Sequence, residues 1–153
     1  MVMEKREIGR SGIMAGGIGL GAWAIGGGLW WGDNDDRMSI DTIHRALELG
    51  INWVDTARVY GFGHSEEVVG KALKKISREK VILSTKCGIQ WYDKNGEYHF
   101  SREGHDVYRD PSPKAIRRDL ELSLKTLGTD YIDVYYTHWQ CKTYGLVPVA
   151  EPM

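Results

Sequence analysis

The sequence has little of several features that mark specialised protein classes. Its 153 residues include two cysteines, Cys87 and Cys141, too few for a disulfide framework or a four-ligand zinc site by themselves. It has no apolar run of about 18 residues, so no membrane span is predicted. Its first residues are charged and lack the apolar segment of a secretory signal, so a cytoplasmic location is expected. A net charge of −1 offers no basic surface to nucleic acid.

The composition that remains is that of a globular protein. Apolar residues make up 42% of the chain and charged residues 27%, both close to the averages for soluble domains. No change of composition marks a second domain, so residues 1–153 are predicted to belong to one. The unusual numbers are 19 glycines and 6 tryptophans.

The first 37 residues are rich in glycine and irregular. Two short segments, Arg6–Ile8 and Ile13–Met14, flank a Gly-Arg-Ser-Gly turn and predict a small hairpin. The alternating glycines of Gly17–Gly21 then predict a buried strand with one closely approached face. A glycine-rich loop follows it.

From Ser39 onward, amphipathic helices alternate with short apolar strands. Helix N-caps are predicted at Ser39, Ser65 and Ser112. Strands are predicted over residues 51–55, 80–86 and 131–138, and a long polar loop over residues 87–111. This alternation predicts a parallel α/β fold.

Three predicted strands end in side chains that can exchange protons, Asp55, Lys86 and His138, and Tyr60 follows five residues after Asp55. In a parallel α/β sheet or barrel, ligands and catalytic groups gather beyond the carboxyl ends of the strands. Each residue alone is more often a cap, a solvated charge or a packing residue. Their joint occurrence at equivalent places in successive units favours a catalytic site.

These four residue types also make chemical sense together. An ammonium beside a phenol lowers the pKa of that phenol, and Lys86 can supply this charge while Asp55 holds it. His138 can donate a hydrogen bond that orients a carbonyl oxygen, and Tyr60 can then protonate it as a general acid. No metal-ligand spacing is visible, so we expect no metal. The natural source of the reducing equivalent is then a nicotinamide hydride.

Five segments together resemble the aldo-keto reductase superfamily, and the resemblance covers the whole chain. They are Gly19–Trp23, Leu49–Gly61, Ser65–Leu73, Ser84–Gly88 and Leu127–Trp139. The resemblance implies a (β/α)8 TIM barrel that reversibly reduces an aldehyde or ketone to an alcohol without a metal. It implies NADPH as the cofactor, or less often NADH.

The resemblance also assigns roles to particular residues. Asp55, Tyr60, Lys86 and His138 match the catalytic tetrad of the family, with Tyr60 as the proton donor. Cofactor contacts around the nicotinamide ribose are implied for Gly21, Ala22, Trp23 and Asp55.

Four tryptophans lie in or beside the predicted loops on the catalytic side. Trp30, Trp31, Trp91 and Trp139 are candidates for an apolar substrate pocket that takes a small carbonyl compound. Ordinary packing is the alternative for each. Cys87, beside Lys86, is interpreted as a packing residue because no base is assigned to it.

The length is short for this fold, since such barrels need about 250 residues. The sequence is therefore predicted to hold the N-terminal half of the barrel: the hairpin and roughly the first four βα units, with residues 147–151 opening the fourth helix. The absent units would supply much of the cofactor site. Three alternatives remain open: a truncated and inactive reductase, self-association through the open sheet edges, and a non-enzymatic interaction or redox-sensing subunit of the same fold.

Overall fold

The computed structural model describes residues 4–142 as strands that alternate with helices. In chain order the strands are β1 (Lys5–Glu7), β2 (Met14–Gly16), β3 (Leu20–Gly21), β4 (Trp53–Asp55), β5 (Ile82–Cys87), β6 (Ile89–Gln90), β7 (Glu97–Arg102), β8 (His105–Arg109) and β9 (Val134–Thr137). The α-helices are α1 (Gly28–Trp31), α2 (Asp36–Glu48), α3 (His64–Leu73) and α4 (Pro113–Leu127). The predicted helix start at residues 147–151 lies outside the described residues.

The central element is a parallel four-stranded sheet in the order β3-β4-β5-β9. Asp55 pairs in register with Gly21 on one side and with Ser84 on the other, and Ser84 pairs with Val134. The carboxyl ends of all four strands therefore meet at one edge. Within the described part of the chain, β3 and β9 are the outer strands of this sheet.

Helices α2, α3 and α4 pack side by side against the sheet. Branched aliphatic side chains fill the space between the two layers, and the fully buried ones are Ile43, Val54, Val68, Val69 and Leu83. Burial of each such side chain stabilises the fold by about 1.5–3 kcal/mol. None of the helices between residues 4 and 142 is both long and apolar enough to cross a lipid bilayer.

The predicted serine caps have different outcomes. Ser112 caps α4 by accepting a hydrogen bond from the Ala115 amide, as predicted. The prediction for Ser39 is wrong because α2 begins earlier, where the Asp35 carboxylate accepts from the Met38 amide. The prediction for Ser65 is also wrong, since its hydroxyl donates to the Ala22 carbonyl at 2.7 Å and thereby ties α3 to the segment after β3.

Two predictions about the glycine-rich start also differ in outcome. The hairpin is confirmed, because β1 and β2 pair antiparallel around the glycine turn. The buried strand over Gly17–Gly21 is wrong: residues 17–19 are exposed, and only Leu20–Gly21 pairs with β4.

The segment predicted as a long polar loop, residues 87–111, contains a three-stranded antiparallel sheet in the order β6-β8-β7. The turn between β7 and β8 has positive φ angles at Glu103 (51°) and Gly104 (77°). This is the backbone of a tight hairpin turn whose twist matches the flanking strands. Gly104, a glycine between two short runs of strand-forming residues, is the signal in the sequence for this turn.

Candidate active site

The carboxyl edge of the parallel sheet brings the four predicted catalytic residues together. Lys86 Nζ lies 2.7 Å from Asp55 Oδ2 and 4.8 Å from the centroid of the Tyr60 ring. The rings of Tyr60 and His138 meet edge to face with their centroids 5.6 Å apart. An ammonium, a carboxylate, a phenol and an imidazole thus form one continuous cluster.

Two further groups hold this cluster and were not singled out from the sequence. The Thr56 carbonyl accepts a hydrogen bond from Lys86 Nζ at 2.7 Å. The Ser84 hydroxyl donates to Asp55 Oδ1 at 2.6 Å and accepts from Trp53 Nε1 at 2.8 Å. Because the ammonium and the carboxylate each have a second partner, their relative position is well determined. The parallel register of β4 and β5, which places Ser84 beside Asp55, is what could have revealed this serine.

The turn that carries Tyr60 is shaped by glycines. Gly61, Phe62 and Gly63 have positive φ angles of 59°, 51° and 105°. A Cβ at Gly26 would lie 2.8 Å from the Gly61 nitrogen and 2.8 Å from the Tyr60 carbonyl carbon. Since no side chain fits in that space, the segment after β3 packs backbone to backbone on this turn and supports Tyr60.

The His138 imidazole is neutral at physiological pH. Burial lowers its pKa to about 4, and the nearby Lys86 ammonium acts in the same direction. Desolvation and a neighbouring like charge both disfavour the protonated ring. A neutral imidazole can donate one N–H to a carbonyl oxygen without adding a second cation to the cluster.

The residues predicted to contact a cofactor adjoin the cluster. Gly21 lies opposite Asp55 in the sheet, and the Ala22 amide donates to the Asp55 carbonyl at 2.7 Å. The Trp23 ring lies 6.0 Å from the Tyr60 ring, centroid to centroid, and is half exposed. An accessible carboxylate that can accept from ribose hydroxyls and an accessible aromatic face suit a nicotinamide nucleoside.

A cavity of about 350 Å³ opens beside Tyr60 and His138. Trp30 and Trp139, two of the four tryptophans predicted for a substrate pocket, line it. The other two are not among its lining residues. Trp31 packs edge-on against Trp23, and Trp91 packs against Phe62 and Tyr92.

Much of the remaining cavity wall comes from residues that the sequence did not single out. They are Phe62, Ile89, His99, Phe100 and Glu103. The antiparallel sheet that replaces the expected loop carries most of them, because β6 and β7 stand over the carboxyl edge. The glycine at position 104, between the two runs that form β7 and β8, was the available signal in the sequence.

Cys87 faces the helix layer, as expected of a packing residue. It is buried beside Ile116 and Tyr135, and burial raises the pKa of its thiol to about 11. Between residues 4 and 142 no group of three or more histidine, cysteine, aspartate or glutamate side chains is arranged to hold a metal ion.

Comparison with known proteins shows the family of this chain. A model of the aldo/keto reductase family matches residues 17–150. The chain belongs to the aldo-keto reductase family. It is 47% identical over 150 residues to the NADH-specific methylglyoxal reductase of Escherichia coli (strain K12), a match that covers 97% of this chain and 46% of that protein. It is 46% identical over 150 residues to the aldo-keto reductase YhdN of Bacillus subtilis (strain 168). This match covers 97% of this chain and 41% of that protein.

Solved structures of the family show the same architecture. The glycerol dehydrogenase AKR11B4 from Gluconobacter oxydans matches with a TM-score of 0.81 and 38% identity, over 99% of this chain and 44% of that one. The chain thus spans less than half the length of these relatives and matches their N-terminal part. The prediction of a partial TIM barrel is confirmed. The described residues contain three complete βα units and the fourth strand.

Proposed function

We propose that this segment supplies the acid–base site of an enzyme that reduces an aldehyde or ketone to an alcohol with a nicotinamide cofactor. The observation that carries the proposal is the contact of Tyr60 with Lys86 and with His138, whose pKa is lowered to about 4 by burial. This arrangement combines a proton donor, a cation that stabilises its conjugate base and a neutral hydrogen-bond donor.

The reaction assigns one role to each residue. The substrate oxygen lies between the Tyr60 hydroxyl and the His138 imidazole, which donates a hydrogen bond and polarises the carbonyl. When bound, the reduced nicotinamide supplies a hydride to the carbonyl carbon. As the C=O bond becomes a single bond, the oxygen takes the proton of Tyr60, and Lys86 stabilises the resulting phenolate. Asp55 keeps Lys86 in place.

The residues next to the cluster suit the cofactor that this reaction needs. Gly21, Ala22 and Trp23, with Asp55, would hold the nicotinamide and its ribose. We propose NADPH as the cofactor, with NADH as the alternative that the similarity to the NADH-specific reductase of Escherichia coli supports. The substrate cavity is small and aromatic, which favours a small carbonyl compound with an apolar substituent.

A chimera tests the function in a complete barrel. Residues 1–150 of this chain replace the matching N-terminal part of the Escherichia coli relative, and oxidation of NADPH and of NADH with methylglyoxal is followed at 340 nm. We expect carbonyl-dependent turnover in the chimera and none when its Tyr60 is replaced by phenylalanine. A folded chimera without turnover, or equal turnover by the phenylalanine variant, would contradict the proposal.

The chain by itself provides a second test. It carries only part of the proposed cofactor site, so we expect micromolar NADPH to leave its tryptophan fluorescence unquenched, while the chimera is quenched. Quenching of the chain alone to the same extent would show that the first half of the barrel suffices for cofactor binding.

A further inference from the structure

A buried ion pair lies on the helix side of the sheet, behind the candidate active site. Arg58 Nη1 is 2.9 Å from Glu66 Oε2, with the Arg58 side chain 9% and the Glu66 side chain 0% exposed. Taking two charges out of water costs several kcal/mol each, and a hydrophobic pair of similar volume is often at least as stabilising. A contribution to folding stability is therefore a weak explanation for the Arg58–Glu66 ion pair on the helix side of the sheet.

Glu66 is connected to the strand that carries the catalytic lysine. Its Oε1 atom accepts hydrogen bonds from Thr85 Oγ1 and from Ser123 Oγ, both at 2.7 Å. Thr85 directly precedes Lys86 in β5, and Ser123 lies on α4. The buried carboxylate thus joins α3, where it resides, to β5 and α4.

Arg58 is connected to the turn that carries the catalytic tyrosine. It follows Thr56, whose carbonyl binds Lys86, by two residues and precedes Tyr60 by two. Its guanidinium also donates to Thr126 Oγ1 at 3.2 Å and to the Tyr92 hydroxyl. Although burial alone would lower the pKa of Arg58, the hydrogen bond to Tyr92 and the charge of Glu66 raise it above its usual value, so the guanidinium stays charged.

We propose that Arg58 and Glu66 are a positioning pair that sets the distance between Lys86 and Tyr60. The ion pair links the segment that leads to Tyr60 with the strand residue before Lys86, from the side of the sheet opposite the substrate. Neither residue lines the substrate cavity, so both act through their neighbours. This inference rests on the proposed function, because it assigns a role within that reaction.

A matched control lies at the amino end of β5, the strand that carries Lys86. Arg78 Nη2 lies 2.6 Å from Asp133 Oδ2, with these side chains 17% and 18% exposed, and Asp133 also accepts from the Leu83 amide at 2.8 Å. This pair joins the segments that lead into β5 and β9, at the amino edge of the sheet. The amino-terminal face of such barrels contributes stability rather than catalysis.

The experiment compares Glu66→Gln with Asp133→Asn in the chimera. We expect Glu66→Gln to lower kcat by about ten- to a hundredfold, since misplacement of reacting groups by about 1 Å has effects of this size. The KM for the carbonyl compound should change less than about threefold, because Trp30, Phe100 and Trp139 on the cavity wall lie outside the affected turn. Asp133→Asn should lower the melting temperature by an amount similar to that caused by Glu66→Gln. Unlike Glu66→Gln, it should leave kcat within about twofold of the value for the unsubstituted chimera.

The 153-residue chain gives an independent measurement by hydrogen exchange. Glu66→Gln should accelerate exchange in peptides that cover residues 55–63, and Asp133→Asn should not. If the unsubstituted chimera is active and both substitutions lower its kcat equally, the positioning role is wrong. Equal exchange rates of residues 55–63 in the two variants would also overturn it. An inactive unsubstituted chimera would instead count against the proposed function.

Discussion

Replacement of His138 by glutamine should weaken the dependence of stability on pH. The pKa of this imidazole is lowered from 6.5 to about 4 by burial and by the Lys86 ammonium. Between pH 6.5 and about pH 4, the unfolded chain therefore binds a proton at His138 and the folded chain does not. Stability from this group is fully present above pH 6.5 and is lost as the pH falls towards 4.

The size of the effect follows from the shift. Each pKa unit corresponds to about 1.4 kcal/mol, so the whole contribution is about 3 kcal/mol. Between pH 7 and pH 5 the loss of unfolding free energy from His138 amounts to about 2 kcal/mol. For a chain of this size, that is about 1 M in the urea midpoint.

Urea unfolding at both pH values, followed by tryptophan fluorescence, measures this contribution. We expect the unsubstituted chain to lose about 2 kcal/mol more than His138→Gln between pH 7 and pH 5. Tyr136→Phe, on the same strand, is the control that keeps the imidazole, and it should behave like the unsubstituted chain. Equal losses for the glutamine variant and the unsubstituted chain would refute the assignment of a neutral, desolvated histidine.

Three further substitutions test other parts of the site. Tyr60→Phe in the chimera should lower kcat by at least about a hundredfold, the usual contribution of a general acid, with unchanged cofactor affinity in a fluorescence titration. Gly26→Ala should lower unfolding free energy by about 1–3 kcal/mol because its Cβ would overlap the Tyr60 turn. Gly17→Ala is its control in open surroundings, and equal melting temperatures would contradict the close packing. Trp30→Ala should raise KM for the carbonyl compound more than Trp91→Ala, since Trp30 lines the cavity and Trp91 does not. The reverse order in steady-state kinetics would refute that placement.

Much of the fold was predictable because its signals are local. Helix α4 shows this best: Ser112 caps it, Pro113 occupies its first position, and Gly128 ends it with a φ angle of 66°. The start of α2 shows the limit. Ser39 has the properties of an N-cap, but Asp35 takes that role, and Ser39 is buried against Asn34.

The buried carboxylate of Glu66 was beyond such signals. In sequence it is one of two acidic residues in the first turn of a helix, where the dipole favours exposed anions. Its neighbour Glu67 is indeed exposed. Only the packing of α4 and the placement of Arg58 make Glu66 a buried partner of an ion pair.

The sequence by itself determined which chemical groups meet at the carboxyl edge of the parallel sheet. In a parallel βα arrangement every strand ends at the same edge, so Asp55, Lys86 and His138, which lie at or next to strand ends, had to lie near one another. Only the tertiary structure decided the surroundings of these groups. The neutrality of His138, the cavity wall on β6 and β7, and the separation of Trp30 from Trp91 depend on desolvation and contacts from residues distant in sequence, which no local pattern encodes.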